Sequence, residues 1–221
     1  KTREKQKEVR VLQELIEAAQ IQFSFGEARG FYERLIELAP TIEHHFKYAR
    51  LLQSLNDFEK ARSYYEKALH ELRMLVEQNP EVYMPYMAKT LNNLGVLLKN
   101  TNELQQARAY YGEALKICRE LSRQNPKAYM PEVAACLNNL GILLQETNEL
   151  PQARVYHEEA LEIRRELSRQ NPEAYRSDLA MSLNNLGVLL KDTNEHKQAR
   201  AYYDEALEIY RELSKQNPEA Y

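Results

Sequence analysis

Leu91-Asn92-Asn93-Leu94-Gly95 returns as Leu137-Asn138-Asn139-Leu140-Gly141 and again as Leu183-Asn184-Asn185-Leu186-Gly187, each time 46 residues on. The surrounding chain returns with it. Ala107-Arg108, Tyr111 and Ala114-Leu115 are echoed by Ala153-Arg154, His157 and Ala160-Leu161, and by Ala199-Arg200, Tyr203 and Ala206-Leu207. An earlier copy is looser, with Tyr48-Ala49 in the Leu-Gly place and Ala61-Arg62, Tyr65 and Ala68-Leu69 following. A fixed period of this length means stacked supersecondary units, each burying its apolar face against the next. Such an array presents an extended surface, which points to a binding protein.

Within one unit the spacing predicts two helices. Pro85 and Pro131 suit the first turn of a helix, where a missing N–H costs nothing. From Pro131, the residues Val133, Leu137, Leu140, Ile142 and Leu144 continue at helical spacing to about Glu146. Thr-Asn-Glu then breaks the pattern. Asn102 is expected to cap a second helix, with Gln105 bonding back, as Asn56 and Glu59 would in the previous copy. That helix runs from about Glu103 to Gln124 and stops before Asn125-Pro126. No strand-like alternation occurs, so the fold class is all-α, built of antiparallel helix pairs. Gly95, Gly141 and Gly187 fall inside helices, and their small size is expected to let two helices approach closely. Arg62 with Glu66, Arg154 with Glu158 and Arg200 with Asp204 stand one turn apart and support their own helices.

Composition removes several function classes. Charged residues make up 29% of the 221 and nearly cancel, leaving a net charge of −3. That disfavours nucleic acid and membrane surfaces as partners. No apolar run is long enough to span a bilayer, and the start has no signal-peptide pattern. The two cysteines, Cys118 and Cys136, occupy non-equivalent repeat positions, filled elsewhere by Leu72, Arg164 and Tyr210, or by Thr90 and Ser182. A disulfide framework is not expected, and a reducing, cytoplasmic setting is. The chain begins at Lys1 and stops at Asn217-Pro218-Glu219-Ala220-Tyr221, a motif that elsewhere leads into another helix, so a piece of a larger protein is expected.

The Leu-Gly, Ala, Tyr and Ala set at this spacing resembles the tetratricopeptide repeat. The Leu-Asn-Asn-Leu-Gly block, the lengthened unit and the second helix ending Glu-Ala-Leu-Glu-Ile-Arg-Arg-Glu-Leu look most like the kinesin light chain subclass, although the Asn-Pro-x-x-Tyr linkers depart from its usual His-Pro type. The resemblance implies a right-handed superhelical solenoid. It places a degenerate first repeat at 1–40, full repeats at 41–86, 87–132 and 133–178, and a truncated one at 179–221. Residues 8–40 fit through Ala28-Arg29 and Tyr32, 33 residues before Ala61-Arg62 and its tyrosine partner.

In this family the first helix of each unit lines a concave groove. With Leu91, Leu94, Gly95 and Leu98 forming the packing stripe, the peptide-contacting candidates are Asn92, Asn93, Val96 and Lys99. Their equivalents are Asn138, Asn139, Ile142 and Gln145, and then Asn184, Asn185, Val188 and Lys191. A carboxamide can donate to a peptide C=O and accept from its N–H, so paired asparagines suit an extended peptide. The alternative is that one asparagine of each pair bonds the adjacent helix and only fixes packing. The carboxylate clamp of chaperone-binding relatives is absent, because Asn92 and Val96, and their equivalents, stand where its Lys and Asn would. The Asn-Pro-x-x-Tyr segments, ending at Tyr83, Tyr129, Tyr175 and Tyr221, are read as structural: the proline stops one helix and the tyrosine packs near the start of the next.

No catalytic arrangement emerges. His157 takes the tyrosine place of its repeat, His196 the aromatic place after the turn, and the adjacent His44 and His45 cannot share a helix face. No metal spacing or phosphate loop occurs, so neither cofactor nor enzyme activity is expected. The leading reading is a protein-interaction scaffold whose groove holds a peptide or helix from a partner or from another domain of the same chain. The alternative is a structural spacer, or a homo-oligomer, associating through an open C-terminal end.

Overall fold

The computed structural model describes residues 2–216, and among them the chain forms helices joined by short turns. In order these are α1 (Thr2–Ile21), α2 (Phe25–Leu38), α3 (Ile42–Ser54), α4 (Phe58–Gln78), α5 (Pro80–Asn100), α6 (Leu104–Gln124), α7 (Pro126–Glu146), α8 (Leu150–Gln170), α9 (Pro172–Asp192) and α10 (His196–Gln216). Two compact units divide within α6, one of residues 1–107 and one of 108–221. In the first, α1 packs on α2, α2 on α3, α3 on α4 and α4 on α5. In the second, α7 packs on α8, α8 on α9 and α9 on α10, while α7 also touches α9.

Helices α5 and α7 begin earlier than expected. Pro80, Pro126 and Pro172 open α5, α7 and α9, and Pro85 and Pro131 lie inside their helices. The physical reason is the asparagine before each opening proline. The Asn79, Asn125 and Asn171 side chains accept from the N–H groups of Val82, Ala128 and Ala174 at 3.2–3.4 Å, leaving proline the position that needs no N–H donor. Each of these asparagines also closes the helix behind it, as when the Asn79 N–H bonds Leu75 O at 2.9 Å. So the proline starts a helix as well as ending one, and a single residue joins them. The boundaries expected at 86, 132 and 178 fall inside α5, α7 and α9. Tyr83, Tyr129 and Tyr175 are half-buried in the opening turns, and Tyr221 lies outside the described residues.

The turn inside each pair corrects a second expectation. Asn56, Asn102, Asn148 and Asn194 do not cap the following helix; they carry φ of 59–64° and end the preceding one. At Asn102 the N–H bonds Lys99 O at 3.0 Å and the next N–H, of Glu103, bonds Leu98 O at 2.8 Å. This paired closure needs a left-handed residue, and asparagine adopts that conformation more readily than other side chains.

Aromatic rings fill much of the first unit's core: Tyr32 stacks on Tyr48 at 5.4 Å, and Tyr48 meets the Tyr64 edge at 4.8 Å. In the second unit, aliphatic Leu144, Leu161, Leu183, Leu186, Leu190 and Leu213 form a cluster around Ala153, Ala180, Ala199 and Ala206. The small residues do what the pattern implied. A methyl group added at Gly141 would stand 2.7 Å from the His157 ring, and one at Gly187 2.7 Å from the Tyr203 ring.

Candidate functional site

The leucines of the packing stripe are buried, and the candidate contact residues flank them with differing exposure. Asn92, Asn93, Val96 and Lys99 on α5 are half-buried, as are Asn139, Ile142 and Gln145 on α7 and Asn185 and Val188 on α9. Asn184 and Lys191 are exposed, and Asn138 is only 4% exposed.

The burial of Asn138 has a definite cause. Asn185 Nδ2 donates to Asn138 Oδ1 at 2.7 Å, linking the second asparagine of one pair to the first asparagine of the pair before it. Two turns further along the same helices, Gln145 Nε2 donates to Asp192 at 2.5 Å. Both bonds join residues 47 apart, so the inner faces of α7 and α9 lie side by side and are stitched at both places. In the first unit Asn93 bonds the Tyr65 hydroxyl, which also donates to Gln53 at 3.0 Å. Asn93, Asn138 and Asn185 thus have work inside the fold. A half-buried surface remains on the α7–α9 face around Ile142 and Val188, flanked by Asn139, Asn184 and Lys191.

A second set of contacts was not anticipated from the spacing. Three of the Ala-Arg arginines reach the acid of the next pair's turn: Arg62 to Glu103 at 2.8 Å, Arg108 to Glu149 at 2.7 Å and Arg154 to Glu195 at 2.7 Å. Arg29 meets Asp57 likewise at 3.2 Å. The Thr101, Thr147 and Thr193 hydroxyls donate to the same glutamates at 3.0–3.1 Å. Thr-Asn-Glu is therefore a docking turn as well as a break. The intrahelical pairs are also present, Arg62–Glu66 at 2.9 Å and Arg154–Glu158 at 2.8 Å, with the exposed Arg200–Asp204 pair at 3.7 Å. Each such bridge contributes at most about 1 kcal/mol. Their value lies in repeat-to-repeat register.

His157 and His44 sit as packing groups, whereas His196 does not. His157 is 1% exposed, and burial lowers its pKa to about 4. His44 is buried between Ala39 O, 2.6 Å from Nδ1, and the Gln13 amide, 3.2 Å from Nε2. His196 is exposed at the start of α10. Among the described residues no group of three His, Cys, Asp or Glu is placed to hold a metal, and no helix is long and apolar enough to cross a membrane.

Among the described residues, Arg164 is the buried arginine or lysine. At 4% exposure it donates to Asp178 O at 2.9 Å and Ser182 Oγ at 3.0 Å, while its Nε has no partner. Burial lowers its pKa. Its position is one the sequence pattern left open to Leu72, Cys118 and Tyr210.

Family models described as tetratricopeptide repeat match residues 44–69, 86–166 and 179–218, together more than half of the chain. No curated protein sequence matches. Among solved structures, BtubC (BKLC) from P. vanneervenii superimposes with a TM-score of 0.75 at 25% identity, over 92% of this chain and 80% of that one. The apo form of RapI gives 0.77 at 17% identity, over 94% and 72%. MamA gives 0.61 at 16% identity, over 90% and 96%. At the identities of the last two, the likeness is one of fold.

Proposed function

From the premise that this chain belongs to the tetratricopeptide-repeat family, we propose that it is a protein-interaction scaffold that holds an extended peptide or a helix against its first helices. The observation that carries the reading is the α7–α9 face. Ile142 and Val188 occupy equivalent, half-buried places on two helices held side by side by the Asn185–Asn138 bond. Apolar positions flanked by amides and by Lys191 suit a ligand that buries alternate side chains while its backbone finds polar partners. The ligand is a segment of a partner protein or of another domain of the same chain. No catalytic role is proposed, in keeping with a generally non-catalytic family.

The Leu-Asn-Asn-Leu-Gly block supports placing the repeats in the kinesin light chain-like subclass, and the use of only two cysteines, at non-equivalent repeat positions, supports a reducing, cytoplasmic setting. Asn138 and Asn185 bond one another, so part of the asparagine set is engaged in packing. Ile142, Val188, Asn139, Asn184 and Lys191 are the residues to test. A displayed-peptide selection against the native chain and against a folded I142E/V188E variant separates the cases. Peptides enriched by the native chain, and bound at least tenfold more weakly by the variant, would establish the groove. Equal binding by both would refute it.

A second reading, association through α10, the last described helix, rests on Leu207. It is 45% exposed, whereas Leu69, Leu115 and Leu161 at the equivalent positions are at most 5% exposed. Tyr203 and Tyr210 are half-buried beside it on α10.

A further inference from the structure

Cys118 on α6 and Cys136 on α7 are each 2% exposed, and their side chains hydrogen-bond one another. Sequence spacing made them look unrelated because they are the two halves of one contact. Position 118 belongs to a second helix and position 136 to the first helix of the next pair. The same two positions recur as Arg164 and Ser182, where the Arg164 guanidinium reaches Ser182 Oγ at 3.0 Å. The fold therefore brings this pair of positions together in more than one repeat, and in one of them both carry a thiol.

We propose that Cys118 and Cys136 are a redox modification site, closing reversibly into a disulfide that staples α6 to α7. A local opening between α6 and α7 admits a small-molecule disulfide such as oxidised glutathione to the buried pair. A thiolate on Cys118 attacks one of its sulfurs, forming a mixed disulfide and releasing one glutathione thiolate. Cys136 loses its proton and attacks the Cys118 sulfur, forming the internal bond and releasing the second glutathione thiolate. The two protons end on the two glutathiones, so one small disulfide is reduced as one protein disulfide is made. The hydrogen bond from Cys136 favours the first step by lowering the Cys118 pKa, while the same bond and burial push Cys136 up. Hydrogen-bonded sulfurs stand farther apart than the roughly 2.04 Å of a disulfide, so closure draws α7 slightly toward α6. In a reducing setting the pair stays as thiols, and the staple forms when the small-molecule pool turns oxidising. Cys136 lies just before Asn138 and Asn139 on α7, so the bond fixes the helix that carries part of the proposed contact face. The thiol chemistry does not depend on that face binding a peptide.

The test uses the full chain, reduced and then equilibrated with reduced and oxidised glutathione at a series of ratios before quenching with N-ethylmaleimide. The expected result is joint loss of both thiols and an intact mass lower by two hydrogens. A Cys118–Cys136 linked peptide in a monomeric chain and a raised thermal midpoint that dithiothreitol reverses complete it. C118S and C136S, each keeping one thiol, are expected to show neither the linked peptide nor the raised midpoint. Thiols that stay reduced at every ratio in the native chain, or that pass only into mixed or inter-chain disulfides, would overturn the proposal.

Discussion

His157 stands where Tyr65, Tyr111 and Tyr203 stand in the other repeats, and neither of its buried ring nitrogens has a hydrogen-bond partner. Its pKa is held at about 4, against 6.5 for an ordinary histidine, because burial penalises the charged ring. The unfolded chain therefore binds a proton at a higher pH than the folded chain does. The stabilising effect of keeping the ring neutral is full above pH 6.5 and is lost as the pH falls from there toward 4. A shift of this size corresponds to about 3 kcal/mol. Urea unfolding followed from neutral pH down to about pH 4 is expected to show this loss in the native chain. His157→Tyr should remove that part of the pH dependence, since Tyr203 packs over Gly187 at the matching place.

The glycines make a sharper case at the same scale. Gly141 and Gly187 face rings at 2.7 Å, whereas an added methyl at Gly112 meets nothing within 4 Å. Gly141→Ala and Gly187→Ala are expected to destabilise by about 1–3 kcal/mol through overpacking. Gly112→Ala should stabilise by about 0.5–1 kcal/mol, as removal of a helix-interior glycine does. Denaturation midpoints of the three variants check both signs. A small residue inside a helix was legible in the sequence at Gly141 and Gly187. Only the ring opposite separates a glycine that packing requires from one it merely tolerates.

At the scale of elements, the helix pairs and the end of the second helix were legible, while the starts of α5 and α7 were placed five residues late. Asparagine is ambiguous in sequence because it caps helix starts and also adopts left-handed conformations that end helices. The chain uses both: Asn79, Asn125 and Asn171 cap, and Asn56, Asn102, Asn148 and Asn194 terminate. The neighbouring residue decides, proline after the first kind and an acid after the second. At Asn102, glycine should be tolerated within a few tenths of a kcal/mol, while valine is expected to cost about 1–2 kcal/mol because its branched side chain resists positive φ. Urea midpoints for N102G and N102V would show this ordering, and equal midpoints would refute the left-handed role.

At the scale of the whole molecule, the second unit stacks α7, α8, α9 and α10 in turn, and α10 is the last described helix. If the exposed Leu207 side is an association surface, sedimentation of the native chain should show a concentration-dependent dimer that Leu207→Lys abolishes. A monomer at all concentrations would leave the scaffold reading without that addition. The sequence by itself determined the all-α class, the 46-residue period, the pairing of helices and the apolar stripe, because these follow from local propensity and spacing that every repeat restates. The tertiary structure alone decided that Asn138 is shared with Asn185, that Arg62, Arg108 and Arg154 clasp the next turn, and that Cys118 meets Cys136. Those contacts join different helices. A repeated side chain keeps the same period whether it faces solvent, a ligand or the next repeat, so periodicity alone could not tell them apart.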